Sequence, residues 1–159
     1  MADRRTPFPV AGERETLRQF LDYLRESIVL KARGVDDHAV RRALVPSGTS
    51  LLGLVKHLTR VEVAWFQWCF AGRDVWVPDG ELEPDDTTDG VVAAYEAAIT
   101  TSNEIVDGCH DLDRRCARKG TAPEPMTMRW ILVHMVEEPG RHAGHADILR
   151  EQLDGSTGR

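Results

Sequence analysis

Hydrophobic residues recur at three- and four-residue spacing along four stretches of the chain, and each stretch predicts an amphipathic helix. The first covers residues 12–33, with apolar positions Leu17, Phe20, Leu21, Leu24 and Ile28. The second covers residues 50–71, with a stripe of Leu51, Leu54, Leu58, Val61, Trp65 and Trp68. The third and fourth are predicted over residues 88–107 and 127–154. No stretch shows convincing strand alternation, so the pattern predicts an all-α fold.

Capping residues and helix breakers support these boundaries. Ser50 or Thr49 can cap the second helix, and Thr127 can cap the fourth. Glycines close three of the helices, at Gly34, Gly108 and Gly155. Four amphipathic helices of similar length joined by loops predict a four-helix bundle. At 159 residues, we expect one domain spanning positions 1–159.

Composition and charge narrow the range of functions. The chain is 42% hydrophobic and 29% charged, with a net charge of -6 and no basic stripe, so we expect no nucleic-acid partner. No apolar run approaches the roughly 20 residues that cross a bilayer, so no membrane partner is expected. The three cysteines form no CxxC pair and no secretory signal begins the sequence. We therefore expect a cytoplasmic protein with reduced thiols.

The stretch HMVEEPGRHAGH places three histidines and two glutamates within the fourth predicted helix. At about 100° per residue, with His134 at zero, Glu138 falls at about 40°, His142 at about 80° and His145 at about 20°. These four side chains share the face that carries the apolar stripe of the helix. A buried carboxylate beside an imidazole is costly unless a cation, a proton or an ion pair compensates it. This face is therefore a candidate site.

His57 gives the second predicted helix an inward-facing group of the same kind. It borders the stripe of that helix, and a single inward histidine is more often a satisfied core residue than a ligand. Together with Glu138 and His142, however, it could form an open site of two imidazoles and one carboxylate, with water in the remaining positions. The spacing does not match the HExxH signature of zinc proteases. On spacing alone, a metal site and a polar helix face both remain open.

Two segments of the sequence resemble the DinB/YfiT-like superfamily of metalloenzymes, and the resemblance spans nearly the whole chain. They are SLLGLVKHLTRVE and MTMRWILVHMVEEPGRHAGHADILREQLDG, and they are most similar to the actinobacterial branch related to mycothiol-dependent maleylpyruvate isomerase. The resemblance implies a four-helix bundle that binds a divalent metal through His57, Glu138 and His142. These are the three residues that the helical wheels select.

Residues next to the three candidate ligands allow further predictions about the site. Pro139 removes a backbone donor directly after Glu138, so we expect a kink or local bulge there. His145 and His134 border the proposed ligands and could orient them or move protons, although His134 could equally be a rim residue. Three of the four tryptophans are at core spacing and are expected to pack, although one of them could wall a substrate pocket: Trp65, Trp68 and Trp130.

The resemblance also implies a reaction class. Relatives activate a low-molecular-weight thiol, so we expect a metal-dependent S-transferase or isomerase that uses a thiol such as mycothiol and a small-molecule substrate. Zinc is the favoured metal, with nickel, iron and manganese as alternatives. Two other hypotheses stay open: a non-catalytic bundle that binds a metal or small molecule, and a metal-free scaffold that only dimerises. A homodimer is expected because a small bundle can leave an apolar helix face exposed.

Overall fold

The computed structural model describes residues 6–7 and 11–157 of the chain. Its helices are α1 (Glu13–Ala32), the short α2 (Asp37–Val40), α3 (Leu51–Glu62), α4 (Thr88–Asp107) and α5 (Met128–Asp154). Within these described ranges, β-structure is limited to one isolated antiparallel bridge between Arg115 and Thr127. The protein is therefore all-helical, as the hydrophobic pattern predicts. None of the helices in the described ranges combines the length and the hydrophobicity that a membrane span requires.

Capping residues mark the ends of α3 and α5, the two helices that carry the candidate site residues. Ser50, rather than its neighbour, caps α3, because its hydroxyl accepts a hydrogen bond from the N–H of Gly53. Thr127 caps α5 in the same way and accepts from the N–H of Trp130. At the other end of α5, Gly155 has φ of 74°, a left-handed conformation that favours glycine. Both helices thus begin at a side-chain cap.

The helix predicted over residues 50–71 is continuous, but its second half, Val63–Phe70, is π-helical rather than α-helical. A π-helix bonds residue i to residue i+5 and places more residues in each turn than an α-helix does. The buried positions of this segment therefore differ from those that a rotation of 100° per residue predicts. The buried side chains of this segment are Phe66, Cys69 and Phe70. Trp65 and Trp68 pack against the core, as their spacing predicts, but they are only partly buried.

The core consists of two apolar clusters that meet along α5. One lies among α1, α3, α4 and the second half of α5, and includes Leu52, Leu58, Tyr95 and Leu149. The other lies between the π-helical segment and the first half of α5, and includes Phe66, Ile131, Leu132 and Met135. Because α5 packs against both α1 and α3, one of its faces is held toward the helix that carries His57.

A buried ion pair joins α1 to the end of α3. Arg25 donates from Nε to Oε1 of Glu62 and from Nη2 to Oε2, both at 2.7 Å. The two side chains are 1% and 0% exposed. Nη1 of Arg25 also donates to Asp22 and Asn103. Burial alone would lower the pKa of Arg25, but the charge and hydrogen bonds of Glu62 outweigh it and raise that pKa. This pair fixes α1 at the point where α3 becomes π-helical.

Candidate metal centre

The fold brings His57 of α3 against Glu138 and His142 of α5. The Nε2 atoms of both histidines lie 3.2 Å from the same oxygen, Oε1 of Glu138. The two imidazole rings meet edge to face with their centroids 5.0 Å apart. One donor atom from each of the three residues lies within 4.8 Å of the other two. The three side chains singled out from the sequence are therefore neighbours in space.

The spacing of these donor atoms fits a divalent cation. Ligand atoms at about 2.0–2.2 Å from an ion, at tetrahedral or octahedral angles, are separated from one another by about 3.0–3.5 Å. The two nitrogen–oxygen distances of 3.2 Å lie within that range. Two imidazoles and one carboxylate are also a donor set typical of open sites, which leave coordination positions for water or substrate. The donor types and the two nitrogen–oxygen distances thus fit a metal ion.

The protonation states that the environment favours suit ligands. Partial burial would raise the pKa of Glu138, but the hydrogen bond from His57 and the charge of His142 outweigh burial and lower that pKa. Burial lowers the pKa of His142, and the neighbouring His57 and His145 add to this effect against the opposing charge of Glu138. A deprotonated carboxylate and a neutral imidazole are the forms that bind metal ions.

A polar cleft of about 420 Å³ opens beside the two histidines. Its walls are the loops around residues 41–50 and 79–82 and the first turn of α3, together with His57 and His142. Hydroxyl and charged groups dominate the lining, namely Arg41, Ser47, Thr49, Ser50, Asp79 and Glu81. Such a lining suits a small polar ligand better than an apolar one.

Gly80 lets the second loop lie directly on α3. Its φ is 85°, and a Cβ at this position would lie 3.3 Å from the backbone Cα of His57. The loop is tied down further along, where Nζ of Lys56 lies 2.6 Å from Oδ2 of Asp86. Arg41 donates to the carbonyl oxygen of Glu83 at 2.6 Å. The Asp-Gly dipeptide signals a turn in the sequence, but not that the turn covers His57.

His145 and His134, the two flanking histidines, have different surroundings. Nδ1 of His145 lies 3.4 Å from Nδ1 of His142, so it contacts the ring edge that faces away from Glu138. His134 instead stacks on Trp130, with centroids 5.1 Å apart, and meets Trp65 edge to face. Trp130 is 45% exposed, so the expectation that it packs in the core was wrong. His134 belongs to this surface aromatic cluster.

Pro139 does not interrupt α5, so of the expected kink or bulge, the bulge is absent. The helix remains α-helical from Met128 to Asp154, and Pro139 itself is buried. The carboxylate that precedes it reaches both histidines. The proline therefore does not prevent Glu138 from lying beside His57 and His142.

The cysteines of the chain are not activated nucleophiles. All three are buried: Cys69, Cys109 and Cys116. Burial raises the pKa of each thiol, and in Cys116 burial and the neighbouring Cys69 raise it to about 12. A thiol with a raised pKa holds little thiolate near neutral pH. A thiol reaction at this site would therefore need a thiol from outside the chain.

Comparison with known proteins supports the fold and a family. A family model described as mycothiol-S-transferase matches residues 16–155. Among solved structures, the chain is similar to one titled as the conserved protein of locus from Enterococcus faecalis, at 15% sequence identity and a TM-score of 0.62. That alignment covers 92% of this chain and 100% of the other, and it bears on the fold alone. No curated protein matches the chain.

Proposed function

The chain belongs to the mycothiol-S-transferase family, a DinB-like family, and from this premise we propose that it is a metal-dependent enzyme that transfers a small thiol to an electrophile. The observation that carries the proposal is the convergence of two histidines and a glutamate at 3.2 Å beside a polar cleft. The thiol is a separate molecule, and mycothiol is the candidate that the family description suggests.

We assign His57, Glu138 and His142 as the metal ligands. Zinc is favoured because two imidazoles and a carboxylate with open positions form a common catalytic zinc set, while nickel, iron and manganese accept the same donors. A divalent cation held there would supply Lewis acidity, which lowers the pKa of a thiol that reaches it.

The chain's own residues hold and orient the reactants. The polar cleft receives the thiol, and the Gly80 loop limits the access of water from one side. His145 contacts Nδ1 of His142, which keeps the ring's Nε2 directed at Glu138. In the transfer, a thiolate lone pair forms a new bond from sulfur to carbon while the bond from that carbon to its leaving group breaks. The leaving group takes the electron pair, and the thiol proton passes to solvent.

Turnover of defined thiols tests this function. We would incubate zinc-loaded protein with mycothiol, bacillithiol, glutathione or cysteine, using iodoacetamide as the electrophile, and measure thioether formation. At least one thiol should react faster than in matched reactions with chelator-treated protein or with the His142→Ala variant. Rates equal to those of both controls for all four thiols would contradict the transferase proposal and favour a binding protein.

A further inference from the structure

An apolar cleft of about 300 Å³ lies on the other side of the loop that borders the polar cleft. Its lining residues come from that loop and from α5: Val45, Ser47, Thr49, His145, Ile148 and Leu149. Leu149 is buried, whereas Ile148 is 55% exposed at the rim. The volume is at the lower end of the roughly 300–1,000 Å³ typical of small-molecule pockets. The cleft is thus large enough for one small apolar group.

This cleft adjoins the candidate metal centre. Ser47 and Thr49 line both clefts, and their hydroxyl oxygens lie 3.0 Å apart across the turn at Gly48. On α5, His142 lines the polar cleft and His145 lines the apolar one. The rings of these two histidines are in contact, with centroids 5.5 Å apart. One narrow turn and one pair of histidines therefore separate the two clefts.

We propose that the apolar cleft binds the hydrocarbon group of the electrophile, an alkyl or aryl substituent, while the thiol occupies the polar cleft. The assignment rests on the proposed transferase function, because it concerns the second substrate of that reaction. Its physical basis is the division of the lining: the charged groups Arg41, Asp79 and Glu81 are all in the polar cleft. The apolar cleft offers instead the side chains of Val45, Ile148 and Leu149. Transfer of a hydrocarbon group from water to such a surface is favourable.

Adjacency to the metal centre favours a small electrophile over a second protein chain. Exposed apolar side chains scattered over a surface are ordinary in soluble proteins. Val133, for example, lies on the same helix and is 53% exposed, but it does not line this cleft. Ile148 differs because it borders a cleft that reaches His145. Val133 therefore provides a matched control for the role of Ile148.

Binding can be tested without metal, thiol or turnover. We would titrate chelator-treated, methyl-labelled protein with toluene and follow the methyl resonances by NMR. The methyl groups of Val45, Ile148 and Leu149 should shift saturably, while those of Val133 should not. Ile148→Ser should weaken toluene binding by roughly tenfold, the lower end of what one methylene contributes in an apolar pocket, because Ile148 is 55% exposed at the rim. Val133→Ser should bind toluene as the wild type does.

The outcomes separate this inference from the proposed function. Saturable shifts confined to the cleft, and weakened by Ile148→Ser, would show that the cleft binds a hydrocarbon group even if no thiol reacts. No saturable shift, or shifts that follow protein concentration and reveal a second copy over the cleft, would overturn it. In the zinc-loaded protein, Ile148→Ser should lower the selectivity for benzyl chloride over iodoacetamide, chiefly by raising KM for benzyl chloride. Absence of turnover with either electrophile would instead count against the transferase function.

Discussion

Replacing Glu62 by Gln tests how strongly the buried ion pair holds the bundle around the site. In the wild type, both carboxylate oxygens accept hydrogen bonds of 2.7 Å from Arg25, and neither side chain is exposed beyond 1%. Gln keeps the size of the side chain but removes its charge and one of its acceptors. The guanidinium of Arg25 would then remain buried and charged without its main partner.

The cost follows from what remains around Arg25. Removing one partner of a buried ion pair costs roughly 3–5 kcal/mol, because the other charge is left uncompensated. Nη1 of Arg25 keeps its bonds of 2.9 Å to Asp22 and 2.8 Å to Asn103. We therefore expect the lower end of that range, about 3 kcal/mol. In a protein of this length, 1 kcal/mol changes the melting temperature by about 2–4 °C, so Glu62→Gln should lower it by roughly 6–12 °C.

Urea and thermal unfolding followed by circular dichroism measure this effect. Glu124→Gln is the control, because it makes the same substitution in an exposed pair with Arg115 at 3.3 Å. Exposed pairs of this kind contribute about 0–1 kcal/mol, so the control should unfold almost as the wild type does. A free energy of unfolding for Glu62→Gln within about 1 kcal/mol of the wild-type value would refute the reasoning.

Three further predictions concern the site and the loop above it. Removing the metal with a chelator should lower the melting temperature, because a ligand that binds only the folded state stabilises that state. The circular dichroism spectrum at room temperature should remain that of a helical protein. Complete unfolding on chelation would indicate a structural metal site rather than an open one. Gly80→Ala should lose more stability and metal affinity, measured by unfolding and by zinc titration, than the control Gly120→Ala. Both positions have positive φ, which costs a non-glycine residue about 1–2 kcal/mol. Of the two, only Gly80 would place a Cβ against the backbone of His57. Equal losses of stability and zinc affinity in the two variants would contradict this role of Gly80. Burial would raise the pKa of Asp86, but Lys56 and the N–H of Glu83 outweigh it and lower that pKa. Its stabilisation is therefore present above the ordinary aspartate pKa of 3.8 and is lost as pH falls through the lower folded value. Asp86→Asn should accordingly be less stable than the wild type at pH 7, with the difference shrinking in acid; a difference independent of pH would contradict the assignment.

Helical periodicity was sufficient to predict the long helices and the convergence of the three site residues. His57, Glu138 and His142 lie on regular α-helical stretches, where a rotation of about 100° per residue holds. Trp65 and Trp68 lie in the π-helical segment, where that rotation fails; they pack against the core as predicted but are only partly buried.

Features that depend on distant residues could not be predicted from the pattern. Arg25 and Glu62 are 37 positions apart, and the helix that carries Arg25 has several other charged residues that could equally form an ion pair. The approach of Gly80 to His57 likewise depends on the path of a loop without regular periodicity. The homodimer stays a prediction, as do the identity of the metal and the cytoplasmic location.

Metal content tests the central claim most directly. We would express the protein without an affinity tag and measure bound metals by mass spectrometry, for the wild type and for His57→Ala, His142→Ala and His110→Ala. His110 is exposed and outside the candidate centre, so its variant controls for the loss of any histidine. We expect about one divalent ion per chain, as for a mononuclear open site, in the wild type and the His110 variant, and loss of most of it in the other two. A wild type without bound metal that also fails to bind added zinc, or full occupancy in both His57→Ala and His142→Ala, would contradict the account.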